Sequence, residues 1–178
     1  ISNKKNKIFT IVWIGSPSTS IYLYEIFPYL DEIYLKFKNF KLRLIGAGNI
    51  QSSKFPIEKF EWSSDTEIRL VSECHVGIMP LADTIWSRSK CGFKLIQYMS
   101  CNLPAIASPV GINKDIINEN VNGFLCSTKE EWINKIKFCI ENKNTLEIMG
   151  KRAREIINNK FSLNYWDKLY TTEINKLT

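Results

Sequence analysis

Residues 8–14, Ile-Phe-Thr-Ile-Val-Trp-Ile, form a β-branched and aromatic run with almost no polar interruption, and Gly15 stops it. A strand that is apolar on both sides must be covered on both sides, which is the condition of a central strand in a parallel sheet. The theme repeats along the chain. Residues 41–45 (KLRLI) end at Gly46-Ala47-Gly48, residues 57–62 (IEKFEW) form a shorter run, and residues 75–81 (HVGIMPL) a fourth. Residues 104–107 (PAIA) make a fifth run ending at Ser108-Pro109-Val110-Gly111, and residues 123–126 a short sixth.

Helical periodicity fills the gaps between these runs. Ile21, Leu23, Ile26, Phe27, Leu30, Ile33 and Phe37 recur at helical spacing, with Pro28 expected to kink or break that helix. Ser63 or Ser64 can cap a helix over residues 65–73, with Asp65 and Glu67 in the first turn where the helix dipole favours acids. A polar loop over residues 82–91 leads into a helix over residues 92–101, and Asn102 is placed to end it in a left-handed conformation. From Thr128 onward the pattern is helical, in up to three segments divided near Asn144 and at Phe161-Ser162. Such alternation predicts a doubly wound α/β domain with a mostly parallel sheet of about six strands and a helical C-terminal tail.

Composition narrows the class. With 178 residues, 44% of them hydrophobic and 24% charged, the chain suits one domain with a full apolar core. A chain of this size buries about 70% of its unfolded surface without needing disulfides or a structural metal. No apolar run approaches the roughly 20 residues of a membrane span. Ile1 is read as a cut end, so residues 1–178 are expected to be one domain of a longer, two-domain protein. The cysteines are odd in number, Cys74, Cys91, Cys101, Cys126 and Cys139, with no C-x-x-C pair and one histidine, which points to a reduced, cytoplasmic setting. A charge of +6 and a pI near 9.0 are scattered along the chain and form no basic stripe interleaved with aromatics, so nucleic acid is not an expected partner. A weak affinity for acidic phospholipid headgroups is more in keeping, and a plain solvated surface more still; the abundance of Asn, Ile and Lys suggests a low-GC bacterium.

In a doubly wound sheet, ligands bind outside the carboxyl ends of the strands, here residues 15–19, 46–49, 62–64, 82–92 and 108–111. Several of these loops set glycine beside small hydroxyl residues, which lets backbone N–H groups approach a phosphate. Gly46-Ala47-Gly48 is no dinucleotide fingerprint, since the third glycine is missing and it follows the second strand; a tight turn explains it equally well. The segment 86–111 is more informative. Lys90, Lys94, Gln97 and Cys101 recur at i, i+4, i+7 and i+11 and share a helical face, while Phe93, Ile96 and Met99 are directed to the core. Two cations at a helix start oppose its dipole by a few tenths of a kcal/mol each, unless an anion sits between them and the free N–H groups. A solvated lysine face is the alternative.

Within this segment, residues 98–108 (YMSCNLPAIAS) resemble the E-A-M-A-C-G-L-P-V-I-A signature of the family-4 retaining glycosyltransferases of GT-B architecture. Ile14-Gly15-Ser16, residues 42–48 (LRLIGAG), Asn122-Gly123-Phe124-Leu125 and Met149-Gly150 fall in the same order. The resemblance implies a Rossmann-like C-terminal half that binds a nucleotide-diphosphate sugar as donor, facing an N-terminal half that brings a glycan or lipid-linked acceptor. It implies retention of configuration, an isolated domain that is folded but inactive, and no permanently bound cofactor. With no D-x-D pair in the loops, no metal is expected either.

Carried over by position, Gly15 and Ser16 resemble the loop at the donor diphosphate, Gly92 and Phe93 the helix start that meets it, and Trp62 and Ser63 the stretch that receives the nucleobase. The family's two glutamates, for the sugar hydroxyls and the ribose diol, correspond to Ser89 and Gln97. Gln97 retains hydrogen-bonding capacity, whereas Ser89 is too short to replace a carboxylate. The cations that usually follow the first glycine loop are absent from residues 15–19, so Lys90 and Lys94 are the candidate catalytic cations, stabilising the leaving diphosphate. Asp83 is a candidate for the sugar hydroxyls and Arg88 for a phosphate, each with a local structural role as the alternative. His75 is expected to be a satisfied structural residue; Trp13, Trp132 and Trp166 are assigned to packing, and Trp86 to the candidate donor loop.

The expected function is therefore transfer of a sugar from a nucleotide donor in bacterial surface polysaccharide synthesis, in the cytoplasm at the inner face of the membrane, with a peripheral membrane contact of the full-length protein. Loss of both glutamates raises the alternative of a non-catalytic sugar-nucleotide-binding or partner subunit. A GT-B epimerase would need carboxylates and a histidine in the cleft.

Overall fold

The computed structural model describes residues 5–50 and 54–176, so the expectation placed on Ile1 lies outside the described residues. Six strands, β1 (Phe9–Ile14), β2 (Phe40–Ile45), β3 (Ile57–Phe60), β4 (Val76–Met79), β5 (Ala105–Ala107) and β6 (Gly123–Leu125), form one sheet in the order β3-β2-β1-β4-β5-β6. All neighbours are parallel. Every residue of β1 is buried, as an apolar run in the sheet centre requires.

Its two sides feed two cores. Ile11 and Trp13 join a layer with Leu23, Ile26 and Leu30 of α1 (Leu23–Lys36) and Trp132 and Ile136 of α6 (Lys129–Glu141). Val12 and Ile14 face Leu70 and Val71 of α2 (Glu67–Ser72), Leu95, Tyr98 and Met99 of α4 (Phe93–Ser100), and Ala153 and Ile157 of α7 (Lys143–Lys160). The chain closes with α8 (Leu163–Ile174). Breaks at Asn142 and at Phe161-Ser162 separate the last three helices, one of them close to the expected Asn144.

Several local expectations are corrected. Residues 17–22 form a 3-10 turn, so the first α-helix starts at Leu23 rather than at Ile21. That helix runs through Pro28 without a break. Pro28 and Tyr24, whose carbonyl loses its helical partner, both lie on the exposed side, where water can replace the missing N–H. The second helix is shorter than expected; Ser63 starts its lead-in turn, its hydroxyl 3.3 Å from the Asp65 N–H and its carbonyl accepting from Glu67 N–H at 3.0 Å. Two four-residue helices add to the expected elements: α3 (Ile85–Arg88) lies in the stretch expected to be a loop, and α5 (Asn113–Ile116) in a stretch to which no element was assigned. Trp13 and Trp132 are packed as expected, but Trp166 is 42% exposed, in an aromatic row with Tyr165 and Tyr170.

One contact joins sheet and helix at the switch point. The register of β1 with β4 covers only Ile11↔Val76 and Val12↔Gly77, after which the two strands part. The fully buried Tyr98 of α4 enters the gap: its hydroxyl accepts from Ile14 N–H at 3.1 Å and donates to the Ile78 carbonyl at 3.1 Å. Its ring lies over Gly77, where a Cβ would stand 2.3 Å from the Tyr98 ring. Replacing Tyr98 by Phe strips a partner from buried backbone groups, at a cost of about 1–3 kcal/mol. For a chain of this length the Y98F melting temperature is expected to fall by about 2–4 °C per kcal/mol, and G77A to lower it further through the clash. Thermal unfolding of both variants checks this, and an unchanged Tm for Y98F would show that the bridge contributes nothing.

Candidate functional site

The carboxyl ends of β1, β2, β3 and β4 open into a cleft of about 900 Å³. One wall is Ile14, Gly15, Ser16 and Pro17; a second is Gly46, Gly48, Glu61 and Trp62; a third runs from Ser89 through Lys94 to Gln97. Of the residues singled out in the sequence, Gly15, Ser16, Trp62, Ser89, Lys90, Gly92, Phe93, Lys94 and Gln97 line this one cleft.

Ser63 and Asp83 do not line it. Ser63 is used in the turn before α2. Asp83 is held by Arg88 in a two-pronged pair, 2.6 Å to Nε and 3.0 Å to Nη2, so each satisfies the other outside the cleft. Trp86, 74% exposed, also stands outside. His75 sits at the opposite, amino end of β4, where Nδ1 accepts from Thr10 N–H at 3.0 Å; burial lowers its pKa to about 4. It is structural, and an epimerase-like reading finds no histidine in the cleft.

The start of α4 decides how its residues point. Gly92 is the N-cap, with φ of 69°, a left-handed conformation that glycine adopts at low cost. It has no side chain to bond the first turn, so among the described residues the Phe93 and Lys94 N–H groups are left to a ligand or solvent. Helical phase is then set by the buried Leu95, Tyr98 and Met99. Phe93 consequently stands in the cleft, 63% exposed, rather than in the core as its spacing suggested. Lys90 precedes the helix and reaches the cleft from the turn, and Cys101 is buried beneath the C-terminal end, so the expected four-residue face reduces to Lys94 and Gln97.

Neither Lys90 nor Lys94 forms a salt bridge among the described residues. Lys90 Nζ instead lies 4.9 Å from the centre of the Tyr22 ring, and Lys94 Nζ 5.4 Å from that of Trp13. The Lys94 stem runs against Gly15: a Cβ there would stand 2.7 Å from Lys94 Cε and 2.7 Å from the Trp13 ring. Only glycine leaves that space. Burial, and then repulsion from Lys90, lower the Lys94 pKa to about 8. Two cations that form no salt bridge among the described residues, beside the N–H groups of a helix start, form a site suited to a multiply charged anion.

Glu67 was read in the sequence only as a first-turn acid, yet it lines the cleft and accepts from Trp62 Nε1 at 2.6 Å and from Gln97 Nε2 at 2.9 Å. Its partners lie 5 and 30 residues away, and no local pattern announces the longer link. Among the described residues, no three His, Cys, Asp or Glu side chains are grouped to hold a metal ion, and no helix is long and apolar enough to cross a membrane.

This architecture is that of a GT-B glycosyltransferase C-terminal domain. The chain belongs to the family described as glycosyl transferases group 1, whose profile matches residues 21–156. Anabaena Alr3699/HepE, solved in complex with UDP, superposes with a TM-score of 0.74 at 16% identity, covering 95% of this chain and 49% of that one. A variant of S. aureus TarM, in complex with fondaparinux, alpha-GlcNAc-glycerol and UDP, gives 0.70 at 17% identity, covering 94% and 37%. The C-terminal domain of the group 1 family protein LpcC from Francisella tularensis gives 0.63 at 9%, covering 90% and 89%. The chain thus spans less than half the length of the TarM and HepE chains. No curated protein sequence matches it.

Lys94 links the site to stability. Its pKa falls from 10.5 when exposed to about 8 in the fold, so between those values the unfolded chain binds more protons and stability rises with pH. Below about 8 the buried charge is present in full and the fold carries its whole cost. Lys94→Met is therefore expected to melt higher than the parent chain at pH 7, with the gap closing as pH rises from about 8 towards 10.5. Thermal unfolding across pH 6.5–10.5 measures it; a gap that stays constant with pH would mean that the Lys94 charge is not strained.

Proposed function

We propose that this chain is the donor-binding half of a two-domain glycosyltransferase and that its cleft holds a nucleotide-diphosphate sugar. The observation that carries the reading is the pair Lys90 and Lys94, unpaired with acids, around the uncapped start of α4 and opposite Gly15. In this reading the diphosphate lies between Gly15-Ser16 and Gly92-Phe93. The nucleobase lies beside Trp62, with Gln97 towards the ribose and Ser89 towards the sugar.

The chemistry asked of this half is positioning and charge stabilisation. As the bond from the anomeric carbon to the β-phosphate oxygen breaks, its electron pair stays on the phosphate, and the acceptor hydroxyl attacks the electron-deficient carbon and gives up its proton to the departing phosphate. In this reading negative charge grows on the leaving oxygen beside the two ammonium groups and the first N–H groups of α4, which stabilise it. No nucleophile on this half is required. The acceptor is proposed to be a glycan or lipid-linked glycan of a bacterial surface polysaccharide, brought by a second domain. A metal ion has no role in the proposal. Retention of configuration is proposed from the family resemblance, and work at the inner face of the membrane, with a peripheral contact of the full-length protein there, from the +6 charge and the unpaired cysteines.

A thermal-shift panel of UDP-, GDP- and ADP-sugars tests the reading. A donor at 100 times its Kd stabilises the fold by about 2.7 kcal/mol. At least one is expected to raise Tm, and Lys90→Ala and Lys94→Ala are each expected to weaken that donor's binding by about tenfold or more. In the full-length protein the same changes should reduce turnover. Absence of a shift with every donor would overturn the site, and unchanged affinity and turnover in both variants would remove the lysines from it.

A further inference from the structure

We propose that Glu67, paired with Gln97, is a specificity-determining residue that reads the vicinal hydroxyls of the ribose, a reading that rests on the nucleotide-binding proposal above. The pair comes from two different helices, α2 and α4, and is tied by the Gln97 Nε2 to Glu67 Oε2 bond of 2.9 Å. Trp62 Nε1 donates to the same oxygen at 2.6 Å. Both donors are therefore spent on Oε2, and Glu67 Oε1 accepts nothing among the described residues. The Gln97 amide has one stable orientation here, because its oxygen would be repelled by the carboxylate; with Nε2 committed, its Oε1 is the acceptor left over.

Contacts order the cleft. Lys94 lies against Gly15, and Gln97 follows Lys94 by three residues along α4, so the two side chains are neighbours on one face. A Cβ at Gly46 would stand 2.4 Å from the Gly15 carbonyl oxygen and 3.1 Å from Trp62 Cβ, so the bare Gly46 lies between the Gly15 loop and Trp62. Running from the cations, the cleft thus presents an anion site, then the Glu67–Gln97 acceptors, then an indole whose N–H is already used and whose ring is 57% exposed. A nucleoside diphosphate runs phosphate, ribose, base in the same sense. At the ribose it offers two adjacent hydroxyl donors, matched by two adjacent side-chain acceptors.

The scaffold beneath Glu67 is preorganised. Arg43 of β2, 4% exposed, donates to the Leu70 carbonyl at 2.8 Å and to Glu73 at 2.8 Å, fixing the end of α2. The arrangement also accounts for Gln97 standing where the resemblance places a glutamate. A carboxylate at position 97 would face that of Glu67 across hydrogen-bond distance, and like charges that close resist ionising together. The acceptor charge resides on α2 and its neutral partner on α4.

The test compares Kd values of UDP, GDP and ADP with their 2′-deoxy counterparts by titration calorimetry, for the parent chain, Glu67→Ala and Glu67→Gln, with near-UV circular dichroism confirming the fold. The parent chain is expected to prefer the ribonucleotide by about tenfold or more, and both variants to bring the ratio towards one. A ratio cancels any general loss of affinity from a disturbed cleft. A parent ratio near one, or an undiminished ratio in folded variants, overturns this inference and leaves the nucleotide site standing. Failure of the parent chain to bind any of the three diphosphates overturns both.

Discussion

The hydroxyl of Tyr98 is where the sheet and the site become one object. Parallel strands on either side of a switch point must part, because the chain crosses to opposite faces there, and the parted ends leave backbone groups without ladder partners. Here Ile14 N–H and the Ile78 carbonyl are met by a single side chain from α4. That bond fixes the helix relative to the strand preceding Gly15. The Gly15 loop and the start of α4 are thereby held in register by a contact one residue before the former and five residues beyond Phe93, the first residue of the latter. Gly77 is the complementary condition, since its missing side chain is the space the ring fills.

The same economy governs charge. A buried cation is normally neutralised by a carboxylate, and this chain does so with Arg43, which is 4% exposed and bound to Glu58 and Glu73. The cleft lysines are treated differently. Tyr22 and Trp13 give them ring faces, which attract a cation without cancelling its charge. Salt-bridged lysines would have to break those pairs before meeting a phosphate, whereas ring-supported ones keep their full charge directed at the cleft. The burial that lowers the Lys94 pKa is a stability cost localised at the site, of the kind that functional positions carry.

Much of this was legible in the sequence because it depends on periods and stops. An apolar run such as residues 8–14 can only be a two-sided strand, and Thr128 with Glu131 forms the capping box where the helical region was expected to begin. What escaped depends on phase and on distance. Phe93 looked buried because it shares the spacing of Ile96 and Met99, which do pack inward; Gly92 turned out to be a left-handed cap, and Tyr98, not Phe93, carries the buried aromatic. Asp83 and Arg88 each resembled a ligand contact alone, and their mutual bond, five residues apart, pairs them with each other outside the cleft. Pro28 was read by its usual effect, yet a proline on a solvent-facing stripe loses a bond that water can replace.

Glu67 shows why part of a site is invisible to pattern reading. A carboxylate in the first turn of a helix has a sufficient local explanation in the dipole, so nothing in residues 63–73 asks for another. Its second role arises only because β3 delivers Trp62 and α4 delivers Gln97 to the same point. A motif records residues whose neighbours in space are also neighbours in sequence. Where the motif of α4 lacks its acid, the missing charge has to be sought along the contacts of the residue that replaced it. Gln97 has a carboxylate within hydrogen-bond distance, while Ser89 turns its hydroxyl back to the Ile85 carbonyl at 3.1 Å. The two departures from the signature are therefore unequal: position 97 has a compensating neighbour, and position 89 closes on its own helix.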